Sequence, residues 1–313
     1  MAPAQPAGLD LTLDEPLVEE LRAHLCLARR RAASHHRGCV ERERPRPVAA
    51  SNHRSRPSLF LNMRNGTFVD TAMQVLPWRN RQNADTHGAT WADYDNDGYQ
   101  DVLIGNLDGA GGLYRNNGDL SFTLITGNGL DAANYFSAAW GDYNNDGNID
   151  LFCGISGGNA LYKNNGDGTF TKDLSTSITE ANVAISASWG DFNNDGFLDL
   201  FTAGFASTQS RLFIRDASNP STVVFKRIIT EKINDRSVSH YSVAGADPDR
   251  NGLIDLALSA FVFDDDNGDA LIPTNNNLYQ NNNLPGNWSQ VKLVPVTGNS
   301  EAGSSPSLAS ARV

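Results

Sequence analysis

From about residue 86 to residue 280 the chain repeats one order of apolar and polar runs. A small-and-aromatic run (Ala89-Thr-Trp-Ala, Ser137-Ala-Ala-Trp-Gly, Ser186-Ala-Ser-Trp-Gly) gives way to nine mostly polar residues. An apolar, β-leaning run follows at once: Val102-Leu-Ile-Gly, Leu151-Phe-Cys-Gly, Leu200-Phe-Thr-Ala, Leu256-Ala-Leu-Ser. Next comes a Leu-Tyr-like segment, a turn, and a Phe-Thr-like segment. Leu113-Tyr-Arg-Asn-Asn-Gly-Asp precedes Ser121-Phe-Thr, and Leu161-Tyr-Lys-Asn-Asn-Gly-Asp-Gly precedes Thr169-Phe-Thr. Leu212-Phe-Ile-Arg precedes Val223-Val-Phe, and Leu278-Tyr-Gln-Asn stands late in the fourth copy. Short β-branched and aromatic runs bounded by Asn, Asp and Gly predict strands and hairpin turns. Each unit therefore predicts four strands in roughly 40–50 residues, the period of a propeller blade. The predicted fold class is all-β: a β-propeller of four-stranded blades, with four loop-bearing repeats. A leading half-blade, Leu59-Phe-Leu-Asn-Met-Arg-Asn-Gly-Thr-Phe68, carries only the second half of the unit.

The polar nonapeptide between the first two strands of each unit carries the chemistry. Its copies are Asp93–Asp101, Asp142–Asp150, Asp191–Asp199 and Asp247–Asp255, with starts 49, 49 and 56 residues apart. Oxygen donors recur at the first, third, fifth and ninth positions. They are Asp93, Asp95, Asp97 and Asp101; Asp142, Asn144, Asp146 and Asp150; Asp191, Asn193, Asp195 and Asp199; Asp247, Asp249, Asn251 and Asp255. The seventh residue varies (Tyr99, Asn148, Phe197, Leu253), which fits a ligand taken from the main-chain carbonyl. Glycine at the sixth position lets the chain turn sharply. No His or Cys takes part, and an all-oxygen set suits Ca²⁺, which accepts about six to eight oxygens in loose geometry. The expectation is about four calcium ions in a structural role.

The first half of the loop invites comparison with an EF-hand, which requires a bidentate Glu at the twelfth position. The twelfth residues here are Ile104, Cys153, Thr202 and Leu258, and each loop joins two strands instead of two helices. Asp/Asn/Gly hairpin turns without an ion are the alternative. Four copies with the same donor positions weigh against it. Trp91, Trp140 and Trp189 each stand two residues before the first donor and are expected to pack between blades. Gly245 replaces them in the fourth copy, which also carries an Asp- and Asn-rich insertion from Asp264 to Asn277.

These residues resemble the FG-GAP/VCBS repeats, the calcium-loop propeller repeats also found in integrin α-chain heads. The resemblance spans about residues 58–285 and involves both halves of the unit. It implies a propeller, structural calcium, an extracellular or cell-surface setting, and a protein or glycan ligand. Integrin-like propellers commonly close with seven blades, so four and a half imply a smaller ring, an open one, or blades missing from this chain. Residues 286–313, with Asn287-Trp-Ser-Gln-Val-Lys-Leu-Val-Pro-Val and Ala309-Ser-Ala-Arg-Val313, resemble the opening of an ASPIC/UnbV module as in relatives of cartilage acidic protein.

Charge and cysteines refine this picture. The net charge of −11 is local, because the four loops hold 13 of the carboxylates and the remainder of the 313 residues sums to +2. No basic nucleic-acid footprint lies in the repeats, and no apolar run approaches the ~20 residues of a membrane span. Cys26 and Cys39 carry no metal spacing, and Cys153 falls in an apolar strand as a small buried hydrophobe. Residues 1–57 read as an atypical leader. A short helix starts near Asp14-Glu-Pro, no signal peptide is visible, and an Arg/His/Pro-rich stretch from about 30 to 57 is expected to be disordered.

Three functional readings follow. The first is a calcium-stabilised binding or adhesion module without catalysis. Its recognition face is expected opposite the loops, with Arg81, Asp85, His87, Arg236, His240 and Tyr241 just before first strands of blades. The second is a polysaccharide lyase or hydrolase on a propeller scaffold. No G-x-S-x-G, zinc or phosphate motif supports it. The third, drawn from the two atypical ends, is an incomplete gene product.

Overall fold

The computed structural model describes residues 47–50, 57–63, 65–77, 86–106, 112–130, 135–155, 158–179, 184–204, 209–218, 222–229, 239–263, 271–273, 277–281 and 288–292. They fall into two compact units, residues 1–132 and 133–313. Among the described residues the architecture is nearly all-β, with one helical turn, α1 (Ala72–Val75), and one 3-10 turn (Ser177–Thr179). Every sheet is antiparallel, and the blade sheets are meanders in chain order except that β18 stands off the path in the last one.

In the first unit, β1 (Pro47–Ala50), β2 (Ser58–Asn62) and β3 (Phe68–Asp70) form a three-stranded sheet. The leading half-blade is thus present. It gains β1, paired from Pro47 to Ala50 with β2, inside the stretch expected to be disordered. The first four-stranded blade is β4 (Thr86–Ala92), β5 (Asp101–Asn106), β6 (Gly112–Asn116) and β7 (Phe122–Ile125). Leu59, Ala72 and Leu76 from the leading segment bury against Val102, Ile104, Tyr114 and Phe122 of this blade.

The second unit holds three blades. They are β8 (Tyr135–Gly141), β9 (Asp150–Ile155), β10 (Gly158–Asn164) and β11 (Phe170–Asp173); then β12 (Ala184–Gly190), β13 (Asp199–Gly204), β14 (Arg211–Arg215) and β15 (Phe225–Ile228). The last has β16 (Ser239–Ala246), β17 (Asp255–Phe263), β19 (Asn277–Asn281) and β20 (Trp288–Lys292), with β18 (Leu271–Pro273) added on the extended end of β17. Trp288–Lys292 therefore serves as the outer strand of the last blade, where the sequence resembled the start of a separate module. First strands of successive blades lie side by side, β8 with β12 and β12 with β16.

The strands form where the pattern placed them, for a simple reason. The second strands β5 and β13 are covered on both faces, so they are buried along their whole length and read as mostly apolar runs after their opening Asp, whereas β17 leaves Ala257 exposed. The cores lie at the blade junctions. Tyr143, Phe152 and Leu161 pack with Leu200, Phe213 and Phe225 of the next blade. Phe192, Phe201 and Leu212 pack with Leu256, Leu258 and Tyr279. Trp189 does pack between blades: its ring stacks on Tyr143 at 6.4 Å and its Nε1 donates to the Ala139 carbonyl at 3.1 Å. Trp91 and Trp140 tilt against Phe122 and Phe170 of their own blades. Cys153 is buried and free.

Candidate metal centre

Each nonapeptide spans the hairpin between first and second strands, and its ninth residue opens the buried second strand. Asp101, Asp150, Asp199 and Asp255 are therefore sealed from solvent, with at most 3 % exposure. The loops share one internal wiring. The first-position carboxylate accepts two backbone N–H groups: Asp97 and Gly98 donate to Asp93 at 3.0 and 2.9 Å. Asp146 and Gly147 bind Asp142 in the same way, Asp195 and Gly196 bind Asp191, and Asn251 and Gly252 bind Asp247. The third-position oxygens of Asp95, Asn144, Asn193 and Asp249 accept the same fifth-position N–H. The fifth-position side chains of Asp97, Asp146, Asp195 and Asn251 accept the N–H of Tyr99, Asn148, Phe197 and Leu253.

The ninth-position carboxylate ties the loop to the rest of its blade. Asp101 accepts from Tyr94 N at 3.2 Å and from Asn116 N at 2.7 Å. Asp199 accepts from Phe192 N and Arg215 N, Asp150 from Asn164 N, and Asp255 from Asn281 N. Burial pushes the Asp101, Asp150 and Asp199 carboxyls up to about 7, against the partial relief of those N–H donors and with the other loop carboxylates adding to the rise. Asp255 is raised for the same leading reason. Asp95 is raised by burial and by Asp97 beside it. At Asp146 burial pushes upward too, but the Asn148 N–H and the Lys163 ammonium, 3.3 Å away, bring it below the ordinary range.

This donor set fits a hard divalent cation. Asp93, Asp95 and Asp101 each bring an oxygen to within 4.8 Å of the others. A divalent ion would supply the positive charge that these buried carboxyls lack. The donors are oxygens throughout, which favours Ca²⁺ over metals that prefer nitrogen or sulfur.

Two features of the loops are absent from the sequence reading. The second residue is a buried aromatic in three copies, Tyr94, Tyr143 and Phe192, and anchors the hairpin from below. Its repetition was a visible signal. The fourth residue takes a positive φ in all four copies: Asn96, Asn145, Asn194 and Arg250, at 57°, 59°, 55° and 58°. Asn tolerates that region, whereas Arg does so only at a cost of roughly 1 kcal/mol. Arg250→Asn is expected to raise stability by about that amount, read as a higher urea midpoint with an unchanged slope.

The residues proposed for the opposite face have mixed placements. His87 and His240 sit inside β4 and β16, at a β-bulge that all four first strands share. His240 is buried, with Nδ1 2.8 Å from Ser210 Oγ, so its ring belongs to the interior and offers no surface contact. Tyr241, the extra residue of that bulge, is 51 % exposed. His87 is half-buried and lies in the other unit. Arg81, Asp85 and Arg236 lie outside the described residues.

Four-stranded antiparallel meanders at this period, each with an acidic hairpin between its first two strands, define a β-propeller. The chain carries three FG-GAP-like repeats, matched over residues 48–104, 93–153 and 142–202. The fourth loop lies beyond these matches. No curated protein matches the chain. Solved structures with a similar course include a putative exo-β-1,3-galactanase from Bifidobacterium bifidum at 10 % identity and a TM-score of 0.49, covering 80 % of this chain and 89 % of that one. An Agrocybe aegerita lectin that recognises non-reducing terminal N-acetylglucosamine is 14 % identical at a TM-score of 0.36, covering 79 % of each chain. The Photorhabdus luminescens Tc holotoxin pore is 16 % identical at 0.37, covering 81 % of this chain and 13 % of that one. At these scores none of the three bears on function.

Proposed function

We propose that the protein is a calcium-stapled propeller acting as an extracellular binding or adhesion module, with calcium as scaffold and without a catalytic step. The observation that carries the reading is the buried ninth-position carboxyl, repeated in every loop beside exposed or half-exposed donors from the first, third and fifth positions. The backbone N–H groups tie these carboxyls to their blades but do not offset their charge, which a cation would. Extracellular loops of this kind bind calcium with Kd of roughly 0.1–1 mM, which suits a calcium-rich compartment. Among the described residues no helix is long and apolar enough to cross a membrane. The partner is a protein or a glycan, met on the face away from the loops, where Tyr241 offers an exposed aromatic.

Calorimetric titration of metal-free protein tests the metal. About four Ca²⁺ are expected to bind, with Mg²⁺ much weaker because it resists such an irregular oxygen set. Absence of calcium heat overturns the reading. Turnover of a polysaccharide would overturn the non-catalytic part alone.

A further inference from the structure

The ninth-position carboxyls of Asp199 and Asp255 are held by residues that also reach the preceding loop. Arg215 gives its backbone N–H to Asp199 at 2.8 Å, and its Nη1 donates to the carbonyl of Tyr143 at 2.7 Å. Tyr143 is the second residue of the preceding loop. Asn281 repeats the arrangement one blade on: its N–H goes to Asp255 at 2.8 Å and its Nδ2 to the carbonyl of Phe192 at 2.7 Å. Phe192 in turn gives its N–H to Asp199 at 2.9 Å. A side link runs the other way, from Asn194 Nδ2 to the Gly252 carbonyl at 2.9 Å. The guanidinium of Arg215 is buried, lies 4.2 Å from the centre of the Phe197 ring, and also reaches Asn145 Oδ1 at 3.4 Å. The loops 142–150, 191–199 and 247–255 are thereby joined through two buried bridging side chains.

We propose that Arg215 and Asn281 are positioning residues that couple these three loops, so that they take up their cations cooperatively. The inference rests on the calcium reading above. Ordering one loop fixes the second-position peptide to which the next blade is bonded. The adjacent loop then loses less conformational freedom when its own ion binds. The fixed charge of Arg215 lowers the cation affinity of nearby loops, but a static charge does not by itself link one binding event to another. The coupling lies in the shared hydrogen bonds.

The test is a Ca²⁺ titration of the full chain carrying Asp93→Asn and Asp101→Asn, which silences the loop of the other unit. A Hill slope of roughly 2 is expected, below the ceiling of three set by the number of coupled sites. Arg215→Met and Asn281→Leu, which remove the bridging donors, should bring the slope towards 1. Arg215→Lys, which keeps a donor and the charge, should retain more of it. Asn194→Gly suits the local positive φ, is exposed, and cuts only the side link, so a partial fall in slope is expected at a nearly unchanged melting temperature. No calcium binding overturns the calcium reading and the coupling together. Binding with a slope of 1 in the parent, or a slope unmoved in Asn194→Gly and Arg215→Met, overturns the coupling alone.

Discussion

Removing calcium is expected to lower the melting temperature by on the order of 15 °C. With Kd of about 0.1 mM and about 1–2 mM free Ca²⁺, mass action makes each ion worth roughly 1.5 kcal/mol. Four ions contribute about 6 kcal/mol, comparable to the whole stability of a domain. At about 2–4 °C per kcal/mol for a fold of this size, the loss is large and easily read by calorimetry. An unchanged melting curve in chelator would end the scaffold role. The pH dependence gives a second, sharper signature. In calcium-free protein Asp101, Asp150 and Asp199 titrate near 7 in place of 3.8. Above that point the fold must hold them ionised, a cost the unfolded chain does not bear. Between about pH 7 and pH 4 the folded protein binds these protons and the unfolded one does not, so stability rises as pH falls. Calcium-loaded protein should slope the other way across the same window, because protons then compete with the ion. Melting temperatures at about pH 8, 7, 6 and 5, with and without calcium, separate the two.

Gly154→Ala is expected to destabilise the second unit by about 3 kcal/mol or more, the upper end of the overpacking range. A methyl at Gly154 would stand 1.7 Å from the Ala184 carbonyl oxygen and 2.8 Å from its carbon. Those atoms are backbone at the start of β12 and cannot swing aside. Ala184 is further fixed by Ser137 Oγ, which donates to its carbonyl, and by Asn159 Oδ1, which accepts its N–H. The blade junction must therefore open. Gly245→Ala is the matched control: its nearest neighbours are side-chain atoms of Ile254 and Ser188 at 3.1 and 3.3 Å, and it should cost less than about 1 kcal/mol. Equal urea midpoints for the two variants would refute the backbone-approach account.

The strands, the loops and their donor positions were legible because each depends on residues a few places apart. Alternation, turn chemistry and the run after each ninth-position Asp are local signals, and they place β4 to β17 closely. Pro47–Ala50 and Trp288–Lys292 are edge strands at the two ends of the repeats, and neither carries an acidic loop beside it to mark it in the sequence. His240 and Tyr241 are adjacent, and one is buried while the other is exposed. Neighbours in a strand face opposite sides, and the bulge that decides which side leaves no mark in composition. The contacts of Arg215, Trp189 and Asn281 with the preceding blade span 72, 50 and 89 residues, beyond the reach of any pattern within one repeat.

The ninth-position Asp and the N–H that holds it are only 15, 14, 16 and 26 residues apart in the four blades. Loops that short close within tens to hundreds of nanoseconds, and low contact order favours fast folding. Each acidic loop is thus tied to its own blade by contacts that need no other repeat, although the cores at the blade junctions need the next one. Loss of one blade would leave the donors of the preceding loop in place but remove the bridge that Arg215 or Asn281 makes to it.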